Sequence, residues 1–164
     1  MSAKKASTAA AAPVFITPDA LLAHWRGHRG LTRRVIDAFP DDQLYTFSLG
    51  GMRTFGEMAN ELLAIASPMV QGLVTGDWEE YSPQGVDSKQ ALLELWDEST
   101  EEIAEFWSQL PADGFAKTVT AFGQFTGPVH WQILYAIDNE IHHRGQGYAY
   151  LRALGIAPPA FYER

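Results

Sequence analysis

The longest helical run of the chain, roughly Val129 to Leu154, is apolar on two sides. At about 100° of rotation per residue, Ile133, Leu134, Ile137, Ile141, Tyr148 and Leu151 form one broad band, and Ala136, Tyr150 and Leu154 form another. A helix of this kind is either central or shared with a partner subunit. Embedded in it is a polar stretch, Asp138-Asn139-Glu140-Ile141-His142-His143-Arg144-Gly145-Gln146. Polar and titratable groups among Trp, Ile, Leu and Tyr need partners wherever they are buried.

Three further helical patterns precede it. Thr17-Pro18-Asp19 supplies an N-cap, a proline at the first helical position and an acidic first turn. Leu21, Trp25, His28, Leu31, Val35 and Phe39 then recur at helical spacing until Pro40. Thr54 and Glu57 have the spacing of a capping box, opening a second helix whose apolar stripe is Met58, Leu62, Ile65, Met69 and Leu73, up to Gly76. Pro68 is expected to kink this helix or end its first half. Ser88 caps a third, with Leu92, Leu95, Trp96, Ile103, Phe106 and Trp107 inward and Asp97, Glu98, Glu101, Glu102 and Glu105 facing water. Pro111 to Gly127 reads as a loop or hairpin over one end, and Pro128 starts the last helix.

Four such helices with one or two longer loops make an all-α four-helix bundle the natural architecture. No helix of such a bundle is fully central, so the doubly apolar last helix predicts a two-fold homodimer. A chain of 164 residues with 46% hydrophobic content is large enough for one compact domain, placed at 15–164 behind a disordered tail at 1–14. Zero cysteines exclude disulfides, zinc–thiolate sites and a cysteine nucleophile, and fit a cytoplasmic location. A net charge of −8 argues against a nucleic-acid surface. The only basic cluster, Arg26, Arg29, Arg33 and Arg34, reads as a solvated helix face. No apolar run approaches the roughly 20 residues that span a bilayer. Trp25, Trp96, Trp107 and Trp131 have core spacing.

Asn139-Glu140-Ile141-His142-His143-Arg144-Gly145-Gln146, continuing through Tyr150-Leu151-Arg152-Ala153-Leu154-Gly155 to Pro158-Pro159, resembles the last-helix signature of the DinB superfamily of helical bundles. A shorter match, Arg53-Thr54-Phe55-Gly56-Glu57, opens the second helix, and the likeness covers about residues 18 to 162. The resemblance implies a DinB-like four-helix bundle with long interhelical loops, a homodimer, and an activity among thiol-dependent S-transferases, isomerases or metal-dependent hydrolases. In that family three histidines commonly hold a divalent metal, one on the second helix and two, four residues apart, on the last. Carried over by position, these fall on Glu61, Asn139 and His143, so only His143 keeps the family identity. The exchange shifts the set from nitrogen-rich toward oxygen-rich, away from zinc or nickel and toward manganese, iron or no metal at all.

The residues themselves support the proximity on which this depends. Asn139 and His143 share one face a turn apart, and Glu61 lies on the inward side of its helix, where an unpaired carboxylate is costly. Two arrangements stand open. In one, the three side chains hold a divalent cation for a small-molecule substrate. In the other they form a metal-free hydrogen-bonded cluster, Glu61 accepting from His143 and Asn139 donating to either, in a non-catalytic binding or scaffold dimer. His24 and His28 also have i, i+4 spacing, but the family does not place ligands there; they read as boundary residues, one of them a candidate general base lining the cleft. His142 points about 100° away from His143 and is assigned a supporting or packing role. His130 reads as structural, Arg144 as a tie to an acidic residue, and Gln146 and Gly145 as packing features.

Overall fold

The computed structural model describes residues 15–164 apart from 79, 83, 84 and 112. The expected disordered tail at 1–14 lies outside the described residues. Four α-helices carry the fold: α1 (Pro18–Ala38), α2 (Phe55–Thr75), α3 (Lys89–Trp107) and α4 (Val129–Ala153). Between α3 and α4 a single 3₁₀ turn leads into an antiparallel hairpin of β1 (Thr118–Ala121) and β2 (Phe125–Pro128), with Val119 opposite Gly127 and Ala121 opposite Phe125. The all-α bundle is therefore capped at one end by two short strands, the hairpin alternative for that segment.

The helix starts obey local chemistry. Thr17 Oγ1 accepts from the Ala20 amide, and Ser88 Oγ accepts from Ala91. Thr54 and Glu57 close a reciprocal capping box. At the other end of α2, Gly76 sits at φ 78°, the left-handed conformation that ends a helix without a Cβ clash. Pro68 does not end the first half of α2, which runs unbroken from Phe55 to Thr75. The residues on both sides of it, Ala64, Ile65, Ala66, Ser67, Met69 and Val70, are buried. Packing of both half-helices into the bundle outweighs the one backbone hydrogen bond that the proline removes.

The core has two halves. Near the α2 N-terminus, Val35, Ile36, Phe39, Leu44, Phe55, Met58, Leu62, Leu92, Trp96, Tyr150 and Leu151 pack together. Nearer the hairpin, Leu21, Trp25, Met69, Val70, Ile103, Trp107, Val129, Ile133 and Ile137 do the same. Trp131, expected in the core, is 64% exposed, its ring lying against Gly127 of the hairpin. Leu134 and Ile141 of the predicted apolar band are also exposed.

The basic face of α1 is not uniformly solvated either. Arg29 is 1% exposed. Its guanidinium lies 3.7 Å from the centroid of the Trp96 ring and donates to the Trp96 carbonyl and the Thr100 hydroxyl, at 3.0 Å each. The Trp96 indole N–H returns a bond to the Arg29 carbonyl at 3.1 Å. Burial pulls the Arg29 guanidinium down to about 10, which still leaves it charged at neutral pH. Three other arginines of the cluster keep to the surface role: Arg33 forms a two-pronged pair with Asp97, Arg26 faces Glu101, and Arg34 reaches the Glu163 carbonyl.

Candidate metal centre

α2 and α4 pack side by side, and their contact brings together residues far apart in sequence. Phe55 sits against Gly147, where a Cβ would stand 2.6 Å from the ring. The Tyr150 hydroxyl donates to the Arg53 carbonyl at 2.9 Å. This close approach aligns the first two turns of α2 with the middle of α4. Glu61, on α2, then meets Asn139 and His143 on α4.

One carboxylate oxygen, Glu61 Oε1, is the meeting point. His143 Nε2 lies 3.2 Å from it and Asn139 Nδ2 lies 3.3 Å from it. The other, Oε2, is held by the Arg53 guanidinium. Burial pushes the Glu61 carboxyl up, but hydrogen bonds from Arg53 and Asn139 and the nearby His143 outweigh it and hold it below the ordinary range. The carboxylate is thus an anion at neutral pH. On the far side of the imidazole, His143 Nδ1 lies 2.9 Å from Gln146 Oε1.

That last contact decides the electrostatics of the pair. If Nδ1–H donates to Gln146, a neutral imidazole presents the lone pair of Nε2 to a carboxylate oxygen at 3.2 Å, acceptor against acceptor. In that tautomer a cation between the two would relieve the clash. Turning the Gln146 amide over is the remaining solution, with its N–H₂ donating to Nδ1 and the ring proton moving to Nε2.

The spacing fits a metal. Oxygen and nitrogen donors at about 2.0–2.2 Å from a cation lie roughly 3.0–3.5 Å from one another, and both distances at Glu61 Oε1 fall in that interval. Turning the Asn139 amide presents Oδ1 to the same point. A carboxylate, an imidazole and an amide oxygen make a harder, weaker set than three imidazoles, suited to manganese or iron above zinc or nickel. Among the described residues no three His, Cys, Asp or Glu side chains gather at one point, so a metal held here would need the amide as its third donor.

The remaining histidines take other places. His142 is exposed, its ring edge-on to His143 at 5.1 Å between centroids. His130 Nδ1 contacts the Phe115 carbonyl at 2.7 Å, tying α4 to the 3₁₀ turn. His24 and His28 do meet, Nε2 to Nε2 at 3.2 Å. However, the Arg144 guanidinium donates to His28 Nδ1 at 2.9 Å and that of Arg164 lies 3.0 Å from Nε2, so positive groups flank the ring and oppose a further cation. Burial, helped by Arg144, His24 and Arg164, lowers His28 to about 4 and keeps it neutral.

Three residues without a site role in the sequence reading matter here. Gln146, there a packing feature, orients His143 through its side chain. Arg53 stands out in the sequence only as part of a motif; nothing local shows that its guanidinium reaches across to Glu61. Glu140 is 1% exposed and anchors a network behind the site: it accepts from Thr32 Oγ1 at 2.6 Å and Trp25 Nε1 at 3.3 Å, with Arg144 at 3.7 Å. Burial raises its carboxyl, opposed by Arg29, Thr32, Arg144 and Trp25. The i, i+4 spacing of Glu140 and Arg144 is the signal that could have found it.

The profile of the DinB family matches residues 11–164. The chain belongs to the DinB family. Its fold is similar to that of a DinB-like protein from Bacillus cereus ATCC 10987, with 19% identity over 91% of this chain and 100% of that one at a TM-score of 0.76. A DinB-like protein from Bacillus subtilis, YjoA, gives 18% identity, 88% and 98% coverage and a TM-score of 0.70. A mutant form of a mycothiol-dependent maleylpyruvate isomerase is more distant: 15% identity, a TM-score of 0.61, and 80% of this chain against 61% of that one. At these identities the likeness establishes the DinB bundle alone. No curated protein sequence matches the chain.

Proposed function

We propose that this DinB protein is a metal-dependent enzyme acting on a small molecule, a hydrolase or thiol S-transferase, with Glu61, Asn139 and His143 as the residues that would hold a divalent cation. The observation that carries this reading is the convergence of His143 Nε2 and Asn139 Nδ2 on Glu61 Oε1 at 3.2 and 3.3 Å, spacings that suit donors around a divalent ion. A bound divalent ion would supply a lowered pKa to a coordinated water or thiol, making a nucleophile at neutral pH. A distant relative in fold is a mycothiol-dependent isomerase, which supports the thiol branch.

The chain's own groups would do the rest. Gln146 orients the imidazole plane, the role that outer hydrogen bonds play for metal-binding histidines. The hydroxyl of Tyr81, on a partly exposed side chain, is raised first by burial and then by the Glu61 charge. The exposed Tyr135 is one turn before Asn139 on the same side of α4.

A second reading is favoured by a different contact. The Arg53 guanidinium and the Asn139 amide already satisfy Glu61 without any metal. On that basis the cluster is a structural clamp in a binding or scaffold protein. Elemental analysis of untagged protein separates the two. Stoichiometric manganese, iron, zinc or nickel that is lost in both Glu61→Ala and His143→Ala supports the enzyme; metal-free protein with the fold of both variants intact supports the clamp.

A further inference from the structure

The two readings differ over one cation, and Arg53 is already a cation at that place. Three features of its setting are unusual for a surface arginine. Its backbone is fixed: the carbonyl accepts from Tyr150, and the next residue, Thr54, is the N-cap held by Glu57. Its side chain is not fixed to the same degree, with 50% of it exposed against 16% for Glu61. And its target is the oxygen of Glu61 that the α4 side chains do not use, Oε2, so the carboxylate is divided between an inner face on α4 and an outer guanidinium.

Charge makes this division consequential. Glu61 is the only anion of the three candidate donors, because Asn139 and an imidazole are neutral ligands. With Arg53 on Oε2, a divalent ion would enter a site of zero net charge and sit within a few ångströms of another positive group. Without it, the same ion meets a full carboxylate. Like charges this close, in a site partly shielded from water, oppose each other strongly.

We propose that Arg53 is the exchangeable counter-cation of the centre: its guanidinium holds Glu61 in the metal-free protein and has to swing off Oε2 into solvent when a divalent ion is taken up. This rests on the metal reading given above and adds to it the residue that sets the affinity. In a metal centre of this plan the fixed backbone at residue 53 acts as a pivot, and the half-exposed side chain has open solvent to move into. The same exchange accounts for how a site can be fully hydrogen-bonded without metal and yet keep donor spacings that suit one.

The test is a titration of chelator-treated full-length protein with manganese(II) and zinc(II) by calorimetry, alongside thermal melting with and without each ion. Wild type, Arg53→Gln, Arg53→Lys and His143→Ala are compared. Arg53→Gln is expected to bind about tenfold or more tightly than wild type, to melt lower than wild type without metal, and to gain more in melting temperature when metal is added. Arg53→Lys keeps the charge and is expected to stay near wild type. Equal or weaker metal binding by Arg53→Gln, with His143→Ala still losing the ion, overturns the exchange while leaving the metal centre standing. Failure of both wild type and Arg53→Gln to bind either ion at millimolar concentration overturns the metal reading and the exchange together.

Discussion

A single histidine shows how tightly the interior specifies charge. His28 accepts from the Arg144 guanidinium at Nδ1, and Arg164 lies 3.0 Å from its other nitrogen, so a proton added to the ring would meet positive charge on two sides. Its pKa stands at about 4 in the folded chain against an ordinary 6.5. Between those values the unfolded chain binds the proton and the folded one does not, so folding stability falls as pH drops from 6.5 and this component levels off below about 4. His28→Asn keeps an acceptor for Arg144 and cannot titrate. The stability gap between wild type and this variant, from urea melts at several pH values, is expected to be constant above pH 6.5 and to narrow as pH falls toward 4. A gap that does not change with pH would show that His28 is not held neutral. Glu140 is the acidic counterpart, a carboxylate kept inside by Thr32, Trp25 and two arginines. Neither residue's burial is visible in composition. Buried polar groups need partners, and here most of them come from another helix.

At the level of elements, the site depends on how closely α2 and α4 approach. Gly147 permits that approach: a Cβ there would stand 2.6–2.8 Å from three atoms of the Phe55 ring, itself fully buried and stacked on Phe39. Gly147→Ala adds helix propensity worth about 1 kcal/mol but forces Phe55 or the whole of α4 to shift, a cost of roughly 1–3 kcal/mol. The expected result is a net loss of stability, read from the denaturation midpoint, together with weaker metal binding as Glu61 and His143 move apart. Unchanged stability would mean that the two helices are not in van der Waals contact at this point. The helix limits themselves are legible in the sequence, since Thr17, Thr54, Ser88 and Gly76 are local signals and behave as such. Pro68 is a local signal too, and a misleading one. Tertiary packing on either side carries α2 through it.

For the molecule as a whole, α4 is asymmetric in a way that bears on assembly. Its buried face carries Ile133, Ala136, Ile137, Glu140, Arg144 and Leu151, while Trp131, Leu134, Tyr135 and Ile141 are exposed on the opposite side, with Asn139 and His143 along the edge between the two. Among the described residues no helix is long and apolar enough to cross a membrane. Scattered apolar residues are common on surfaces, whereas a contiguous apolar patch marks an interaction site. The two-fold homodimer expected from the sequence would cover them. Light scattering coupled to gel filtration is expected to give twice the chain mass for wild type and the monomer mass for the double variant Trp131→Glu, Leu134→Glu. A wild-type monomer across the micromolar range would overturn the expected dimer.

The four amphipathic patterns, their caps and the His-His-Arg-Gly-Gln stretch of α4 are written in the sequence, because helix periodicity and capping act over three or four residues and a family signature is a string. They determined the bundle, its family and the three positions that face one another. Only the tertiary structure decided that Arg53 shares Glu61, that Gln146 orients His143, that Arg29 and Glu140 lie inside, and that Trp131 lies outside. Each of these is a matter of where a side chain's neighbours stand once the helices have packed, and electrostatic partners across helices are chosen by packing geometry, which no local pattern records.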